Sequence, residues 1–403
     1  MSFRSLRRST ATALATAAAM AALTACGGGA STGSTTAGCA DGKVGIGVLL
    51  PLSGSAAGFG QGIRQAMEYA ASEVNSAGGL TMGDAKCTVE LVDFDTKGSA
   101  EQASTGINTL ISKGQKIIWG PNLSHEVTAV QPIAQRNGAL IMQASYSSKG
   151  ISPQQPLNFA MVTTPSGFAN PMAKWVAAAY LDARTALIVV PDNEGGRDTA
   201  TIDTKAYAGA GITATTTTYA PGTTDFAPFI GNLLRNPPDL VDLASTPPGD
   251  SGVIIKQLRQ AGYDGPIGRI GGEATSAIID AVGSPAGLGD FYYYAAIDSE
   301  ARPVQDYFAA FAARFGNPPL TVSAQALPAA RMLLHAIDET DSTDPAVVAA
   351  ALEKLPVDDP TVGKGVWGGK DFYGINHEIV LDFFAGRYQD GQRTLTPLSV
   401  TGL

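Results

Sequence analysis

The sequence predicts an α/β protein of two lobes, each built on a doubly wound parallel sheet. The chain has 403 residues, which is enough for two or three domains of ordinary size. From Lys43 onward, short apolar runs of strand length alternate with stretches of helical periodicity, the pattern of βαβ units. The alternation runs to Met142 and restarts after Thr163-Thr164-Pro165. We therefore expect two similar lobes that follow one another along the chain.

Composition and charge exclude several classes of protein. Hydrophobic residues make up 44% of the chain and charged residues 16%, which argues against wholesale disorder. The formal net charge is −9, whereas a nucleic-acid-binding protein needs a basic face to neutralise phosphates. With three His and three Cys, the chain has little material for a His-rich metal site. We expect no nucleic-acid partner, no metal and no cofactor.

Residues 1–25 are typical of a signal peptide that is removed from the mature protein. Arg4, Arg7 and Arg8 form a basic start, and residues 11–23 form an apolar stretch too short to span a bilayer. The stretch ends in Leu23-Thr24-Ala25-Cys26, which resembles the bacterial lipobox, where the Cys is lipidated and becomes the mature N-terminus. The alternative is an ordinary secretory signal cleaved near Ala25, which leaves Cys26 without a role.

Residues 26–41 are predicted to be a flexible tether. Positions 27–38 hold only Gly, Ala, Ser and Thr, a composition that cannot bury a core. A lipid on Cys26 would then anchor the folded body to the membrane through this tether.

Cys39 and Cys87 are the cysteines that remain after Cys26. Each stands just before a predicted strand, and export permits disulfides. Adjacent parallel strands would bring the two strand starts together, so we expect a bridge closing a loop of about 49 residues. Two buried free thiols are the alternative.

The elements of the first lobe follow in order along residues 44–142. Strands are expected where short apolar runs end at Pro, Gly or charged residues, and helices where apolar residues recur every three or four positions. Ser99 and Gln102 form a capping box at a helix start. The predicted strands are 44–50, 89–94, 117–119 and 139–142, and the predicted helices are 63–77 and 99–113.

The second lobe repeats the pattern, and further helices follow it. Its predicted strands are 186–190, 212–219, 240–244 and 267–270, and its predicted helices are 172–180, 199–208, 226–234 and 253–261. Helices at 304–315, 323–338 and 345–355 are expected to pack onto a lobe already begun. A β-like stretch at 377–388 ends in the turn signal Asp390-Gly391.

Several segments resemble the type I periplasmic binding proteins, above all their branched-chain amino acid (Leu/Ile/Val) group. Residues 44–75, which read VGIGVLLPLSGSAAGFGQGIRQAMEYAASEVN and lead into AGGL, resemble the opening of that family. Matching segments then follow in the family's order over most of the mature chain: DFDTKGSAEQA at 93–103, WGPNLS at 119–124, PDNEGGRD at 191–198, YAPGTTDFAPFI at 219–230 and IKQLRQAGYDGPI at 255–267.

The resemblance implies two lobes joined by three crossovers, which close on a small solute and deliver it to an ABC permease. Carried over, the first lobe is 42–163 plus 297–365, and the second is 164–296 plus 366–403. The expected protein is a monomeric, extracytoplasmic, lipid-anchored solute-binding protein for an amino acid or a related amide or carboxylate. The alternative is a lipid-anchored sensor that presents the same lobes to a receptor.

Two loops of the first lobe are candidates for binding the solute. In open α/β sheets ligands lie beyond the carboxyl ends of the strands, where helix N-termini offer free N–H groups. The resemblance implies that loops 120–125 and 144–148 hold an amino acid's carboxylate. As helix caps the serines of these loops would need no ligand. The candidates are Ser124, Ser145, Tyr146 and Ser147, followed by Asn122 and His125.

The resemblance also places residues on the other walls of the cleft. Glu273 matches the family acid that pairs with the ligand's ammonium, and Phe59 matches an aromatic residue at the cleft mouth. Family members often have Tyr where this chain has Gly195, which puts leucine-type specificity in doubt. Asp192 and Glu194 are further candidates for polar contacts. The alternatives are a solvated Glu273, simple packing of Phe59, and helix capping by the two acids.

Catalysis is the competing class of function, and the sequence gives it little support. The chain has no Gly-x-Ser-x-Gly elbow, no Walker A loop and no His-Glu-x-x-His motif. His125 follows Ser124 directly, and adjacent residues on a helix do not face each other, so a catalytic dyad is not expected. His335 lies within a predicted helix and has no catalytic partner in the sequence. We therefore predict a binding protein and not an enzyme.

Overall fold

The structure is a computed structural model that describes residues 39, 41–54, 56–272 and 275–399. The predicted signal peptide, the lipidation site Cys26, most of the tether and Glu273 lie outside the described residues. None of the helices within these ranges has the length and apolar character that crossing a bilayer requires.

The strands lie mostly where the apolar runs predict them, with additional short strands between. β1 ends where Pro51 interrupts its apolar run. The strands are β1 (Lys43–Leu50), β2 (Leu80–Met82), β3 (Ala85–Asp95), β4 (Ile117–Trp119), β5 (Leu140–Gln143), β6 (Asn158–Ala160), β7 (Thr185–Pro191), β8 (Thr213–Tyr219), β9 (Leu240–Asp242), β10 (Ile267–Arg269), β11 (Phe291–Ala295), β12 (Asp358–Asp359), β13 (Gly363–Gly368), β14 (Glu378–Leu381), β15 (Phe383–Gln389) and β16 (Gln392–Leu398).

Several helices begin at residues whose side chains cap their first N–H groups. The Ser99 side chain accepts a hydrogen bond from the Gln102 N–H, and the Asn193 side chain accepts one from the Gly196 N–H. The helices are α1 (Ala57–Ser76), α2 (Ala100–Ser112), α3 (Ser124–Asn137), α4 (Pro165–Ala179), α5 (Glu194–Gly209), α6 (Ala227–Leu233), α7 (Pro248–Gln260), α8 (Thr275–Val282), α9 (Arg302–Phe315), α10 (Thr321–Thr340), α11 (Pro345–Leu352) and α12 (Lys370–Tyr373).

The first lobe is built on a sheet with the order β12-β13-β14-β6-β5-β4-β1-β3-β2. β1 lies near its centre and pairs in parallel with β3 and β4. Apolar side chains of α1, α9 and α10 pack on one face of this sheet, and those of α2 and α3 pack on the other. Both faces are therefore covered, as a parallel sheet requires.

The second lobe is built on a sheet with the order β16-β15-β11-β10-β9-β7-β8. Its centre is parallel, and the antiparallel strands β15 and β16 form one edge. α4 and α5 pack on one face, while α6, α7 and α8 pack on the other. The predicted class of two doubly wound α/β lobes is confirmed.

The chain crosses between the lobes three times, and the last crossing lies further along than the sequence suggested. β6 leads into α4 at the first crossing, and at the second Ala296 packs in the second lobe while Ile297 packs in the first. β13 and β14 form an antiparallel pair, and β14 pairs with β6, so both belong to the first sheet. The third crossing therefore follows Leu381 at the end of β14, whereas the expected boundary stood between 365 and 366.

Glu378 of β14 joins two of these crossings. It is fully buried, and its carboxylate accepts hydrogen bonds from the Thr164 N–H at 2.6 Å and the Ser166 hydroxyl at 2.8 Å. Thr164 is the N-cap residue of α4, so the acid lies at the positive end of a helix of the second lobe. Burial nevertheless dominates and raises the pKa of Glu378 to about 7.

The predicted disulfide between Cys39 and Cys87 is confirmed. Their Cα atoms are 6.3 Å apart, within the range that a bridge can span. β1 and β3 are parallel neighbours in which Lys43 pairs with Thr88, so the two strand starts lie side by side as expected.

Candidate functional site

A cavity of about 450 Å³ lies between the two lobes. Its walls come from loops and helix ends that follow the carboxyl ends of strands in both sheets. The first lobe contributes Ala56, Phe59, Ile63, Lys97, Gly98, Asn122, Leu123, Ser124, His125, Ala144, Tyr146, Val162, Val322 and Gln325. The second contributes Pro191, Asn193, Gly195, Gly196, Pro221, Gly222, Ser245, Pro247, Pro248, Asp250, Arg269, Gly271 and Gly272.

The N-terminal ends of α3 and α5 meet at this cavity from opposite lobes. Ser124, a predicted ligand-binding residue, is the first residue of α3 and lines the cavity. A Cβ built on Gly195, in the first turn of α5, would lie 3.1 Å from Ser124 Oγ. Each helix end carries a partial positive charge and unsatisfied N–H groups. The part of the cavity where the two helix ends meet can therefore hold an anionic group.

Two aromatic residues of the first lobe reach across to the second. Phe59 lines the cavity and packs against the apolar cluster under α6 and α7. Tyr146 packs edge-on against Phe168 of α4, with ring centroids 5.9 Å apart. A Cβ built on Gly272 would meet the Tyr146 hydroxyl at 2.7 Å, so this glycine leaves room for the ring. The two rings give the cavity apolar surface.

Ser145 and Ser147 lie elsewhere than the sequence suggests. Both are buried, and neither lines the cavity. Ser145 Oγ accepts a hydrogen bond from the Ser147 N–H at 3.4 Å, and the Ser147 hydroxyl donates to Glu194 at 3.4 Å. The Ser145 hydroxyl therefore bonds within its own loop, and the Ser147 hydroxyl bonds to the other lobe. From this loop, Ala144 and Tyr146 line the cavity.

Asn122 and His125 both line the cavity. Asn122 Oδ1 is buried and has no hydrogen-bond partner among the described residues. His125 Nε2–H donates to the Gly98 carbonyl at 3.0 Å, which joins two loops of the first lobe. This bond engages His125 Nε2 as a donor.

Asp192 and Glu194 do not line the cavity. Asp192 forms an ion pair with Arg197 of its own lobe at 2.5 Å and is largely exposed. Glu194 instead accepts a hydrogen bond from the Thr128 hydroxyl of the first lobe at 3.0 Å. Neither acid is placed for the polar ligand contact that the sequence suggested.

Arg269 is a cavity residue that sequence reasoning missed. It ends β10, is 3% exposed, and donates from Nε to the Gly272 carbonyl at 2.9 Å and from Nη1 to the Thr246 carbonyl. Asp250, in the first turn of α7, also lines the cavity and accepts a hydrogen bond from the Tyr219 hydroxyl at 2.8 Å. The wall of the second lobe thus carries charge of both signs.

A buried acid lies beneath the α3 end of the cavity. Glu126 is fully buried in the first turn of α3, two residues after Ser124. Burial raises the pKa of Glu126 to about 7, and neither of its carboxylate oxygens has a hydrogen-bond partner among the described residues. Near neutral pH this acid holds part of its proton, which limits the negative charge behind the N-terminal end of α3.

The described residues contain no group of three or more His, Cys, Asp or Glu side chains arranged to hold a metal ion.

Residues 43–393 match the family model described as "Periplasmic binding protein". The chain belongs to the periplasmic binding protein family. Its members are solute-binding proteins and not enzymes, as the sequence predicts.

This periplasmic binding protein is similar in sequence to Leu/Ile/Val-binding proteins and shares the type I fold of solved solute-binding proteins. The Leu/Ile/Val-binding protein BraC3 of Rhizobium johnstonii is 24% identical over 329 residues, which cover 80% of this chain and 87% of the relative. The substrate-binding protein LivJ of Streptococcus pneumoniae, solved with isoleucine, has a TM-score of 0.74 at 19% identity and covers 88% of this chain and 100% of its own. A solute-binding protein from R. palustris, solved with benzoate, has a TM-score of 0.72 at 18% identity and covers 89% of this chain and 96% of its own.

Proposed function

We propose that this protein binds a small solute bearing a carboxylate, in the first place an α-amino acid, and delivers it to an ABC permease. The observation that carries the proposal is the meeting of the α3 and α5 N-termini at the cavity, beside the Ser124 hydroxyl. Helix N-termini and hydroxyl donors favour a carboxylate over a neutral group. The ligands named for the two solved relatives, isoleucine and benzoate, both carry a carboxylate.

The choice of an amino acid rests on acids of the second lobe. Asp250 lines the cavity and supplies negative charge for an ammonium group. Glu273 follows Gly272, which also lines the cavity, and its pairing with the ammonium remains part of the proposal. Helix ends on one side and an acid on the other suit a zwitterion.

The size and walls of the cavity are compatible with an apolar side chain on that solute. A volume of about 450 Å³ falls within the usual range for small-molecule sites, roughly 300–1,000 Å³. Phe59 and Tyr146 supply apolar surface, and at Gly195 the backbone of α5 itself forms the wall. We expect the solute to be contacted there by main-chain atoms, at the position where the resemblance implies a Tyr in other family members.

We further propose that the mature protein is held at the outer face of the cell membrane by a lipid on Cys26. The lipobox-like Leu23-Thr24-Ala25-Cys26 and the Gly/Ser/Thr-rich stretch after it support this. The family works outside the cytoplasm, which agrees with export.

A ligand screen on residues 27–403 tests the function. L-Leucine, L-isoleucine, L-alanine, benzoate and the matching neutral amides are compared by thermal shift and then by calorimetry. A solute present at 100 times its Kd stabilises the folded protein by about 2.7 kcal/mol. We expect acids to bind and their amides to fail. Equal binding of acids and amides, or no stabilisation by any carboxylate, would contradict the proposal.

A matched pair of serine variants locates the site. Ser124→Ala removes a hydroxyl from the cavity wall and should weaken binding of the best carboxylate by about 1 kcal/mol. Ser112→Ala removes an exposed hydroxyl at the end of α2, far along the chain from any cavity residue, and should leave the affinity unchanged. Equal affinities in both variants would place the solute elsewhere.

A further inference from the structure

The first turns of α5 carry two acids that face the other lobe. Glu194 and Asp198 are four residues apart, so their side chains lie on the same side of the helix. α5 belongs to the second lobe, where it packs beside β7 and β8. Neither acid lines the cavity.

Both acids accept hydrogen bonds from donors of the first lobe. Glu194 Oε1 accepts from the Thr128 hydroxyl of α3 at 3.0 Å and from the Ser147 hydroxyl at 3.4 Å. Asp198 Oδ2 accepts from the Ser148 N–H and the Ser148 hydroxyl, each at 2.8 Å. A carboxylate acceptor makes these bonds stronger than bonds between neutral groups. All four contacts break when the lobes separate.

Gly195, between the two acids in sequence, allows this approach. A Cβ at this position would lie 3.1 Å from Ser124 Oγ, tighter than an ordinary van der Waals contact. A side chain at 195 would therefore press on the Ser124 hydroxyl where α5 approaches α3. Because Gly195 has no side chain, it leaves space in the cavity and allows α5 to approach the first lobe closely.

We propose that Glu194 and Asp198 are positioning residues that latch the lobes together through contacts that do not involve the solute. The latch consists of these two acids with Thr128, Ser147 and Ser148. It raises affinity for any solute of the cleft by increasing the population of the closed, binding-competent state. It rests on the solute-binding role of the family and not on the identity of the solute.

Small-angle X-ray scattering of solute-free residues 27–403 tests the latch. We expect solute-free wild-type protein to populate the closed arrangement in part. Glu194→Ala combined with Asp198→Ala should remove that closed population and increase the radius of gyration. The control Asp182→Ala removes an exposed acid of the same lobe and should scatter like wild type. A double variant that matches the control would overturn the proposal.

A pair of substitutions in the other lobe keeps the test valid if the α5 variants fold poorly. Thr128→Val with Ser148→Ala removes two of the four donors on the first lobe and leaves α5 intact, and should increase the radius of gyration in the same direction by a smaller amount. Calorimetry with L-leucine adds a second readout, in which loss of charge-assisted bonds should raise Kd on the order of tenfold or more. Opening without any leucine binding would refute only the amino-acid proposal, whereas leucine binding with unchanged scattering would refute only the latch.

Discussion

Replacing Glu378 by Gln should remove a pH dependence of stability that originates at the hinge. The pKa of this buried acid is raised from an ordinary value of 4.5 to about 7. Because the folded-state pKa is the higher of the two, the folded protein holds the proton more tightly than the unfolded chain. The stabilisation is fully present below about pH 4 and is lost as the pH rises towards 7 and beyond.

The magnitude follows from the separation of the two pKa values. At about 1.36 kcal/mol for each pKa unit, the change from 4.5 to about 7 corresponds to roughly 3 kcal/mol of folding free energy. Most of this, on the order of 2 kcal/mol, falls between pH 5 and pH 8. Gln has the shape of the protonated acid: its carbonyl can accept from the Thr164 N–H, and it does not titrate.

Urea unfolding at pH 5.5 and pH 8 measures the effect. The free energy of unfolding of the Glu378→Gln variant, relative to wild type, should rise by about 2 kcal/mol between the two pH values. Glu101→Gln, which changes an exposed acid in the first turn of α2, should follow wild type at both. If Glu378→Gln and wild type lose stability in parallel, the hinge acid is already ionised at pH 5.5 and the reasoning is refuted.

Three further predictions concern the anchor, the disulfide and the charge of the ligand. Cys26→Ser should move the protein from the membrane fraction to the soluble fraction of the cell, and normal membrane retention would contradict lipidation. Joint replacement of Cys39 and Cys87 by Ser should lower the free energy of unfolding on the order of 4 kcal/mol, since the bridge closes a loop of about 49 residues, and unchanged urea unfolding would refute it. Glu273→Gln should weaken L-leucine binding by roughly 3 to 5 kcal/mol in calorimetry, and a loss below about 0.5 kcal/mol would overturn the pairing with an ammonium.

The two-lobed architecture could be predicted because its signals are local. The run that becomes β1 is apolar and stops at a proline, and the Ser99 cap is encoded within four residues. β11, the FYYYA run, was not predicted although α9 follows it closely. β6 has three residues and begins at Asn158, so it lacks the fully apolar start that marks the equally short β4. The membership of β14 in the first sheet depends on pairing with β6, more than 200 residues earlier, which no local pattern encodes.

The site was predicted in part, for a similar reason. Ser124 and Tyr146 stand on loops that any doubly wound sheet would direct to the cleft, so strand order alone places them there. The positions of the other predicted site residues depend on how the two lobes contact each other. Ser147 and Glu194 are drawn into contact with each other and away from the cavity. Arg269 looks like an ordinary strand-end residue, and its burial follows from the way the loops around Thr246 and Gly272 enclose it.

The bridge between Cys39 and Cys87 gives this protein a mechanical property. The covalent link joins the position at which the chain enters the fold to the start of β3. A pull from the proposed membrane anchor along the preceding segment would therefore be shared between two neighbouring strands of the first sheet. β1 cannot peel away from its neighbour at that end while the bond is intact. The disulfide would then carry part of the force that drag on the folded body exerts at this end of β1. The hydrogen bonds between β1 and β3 would carry correspondingly less of it.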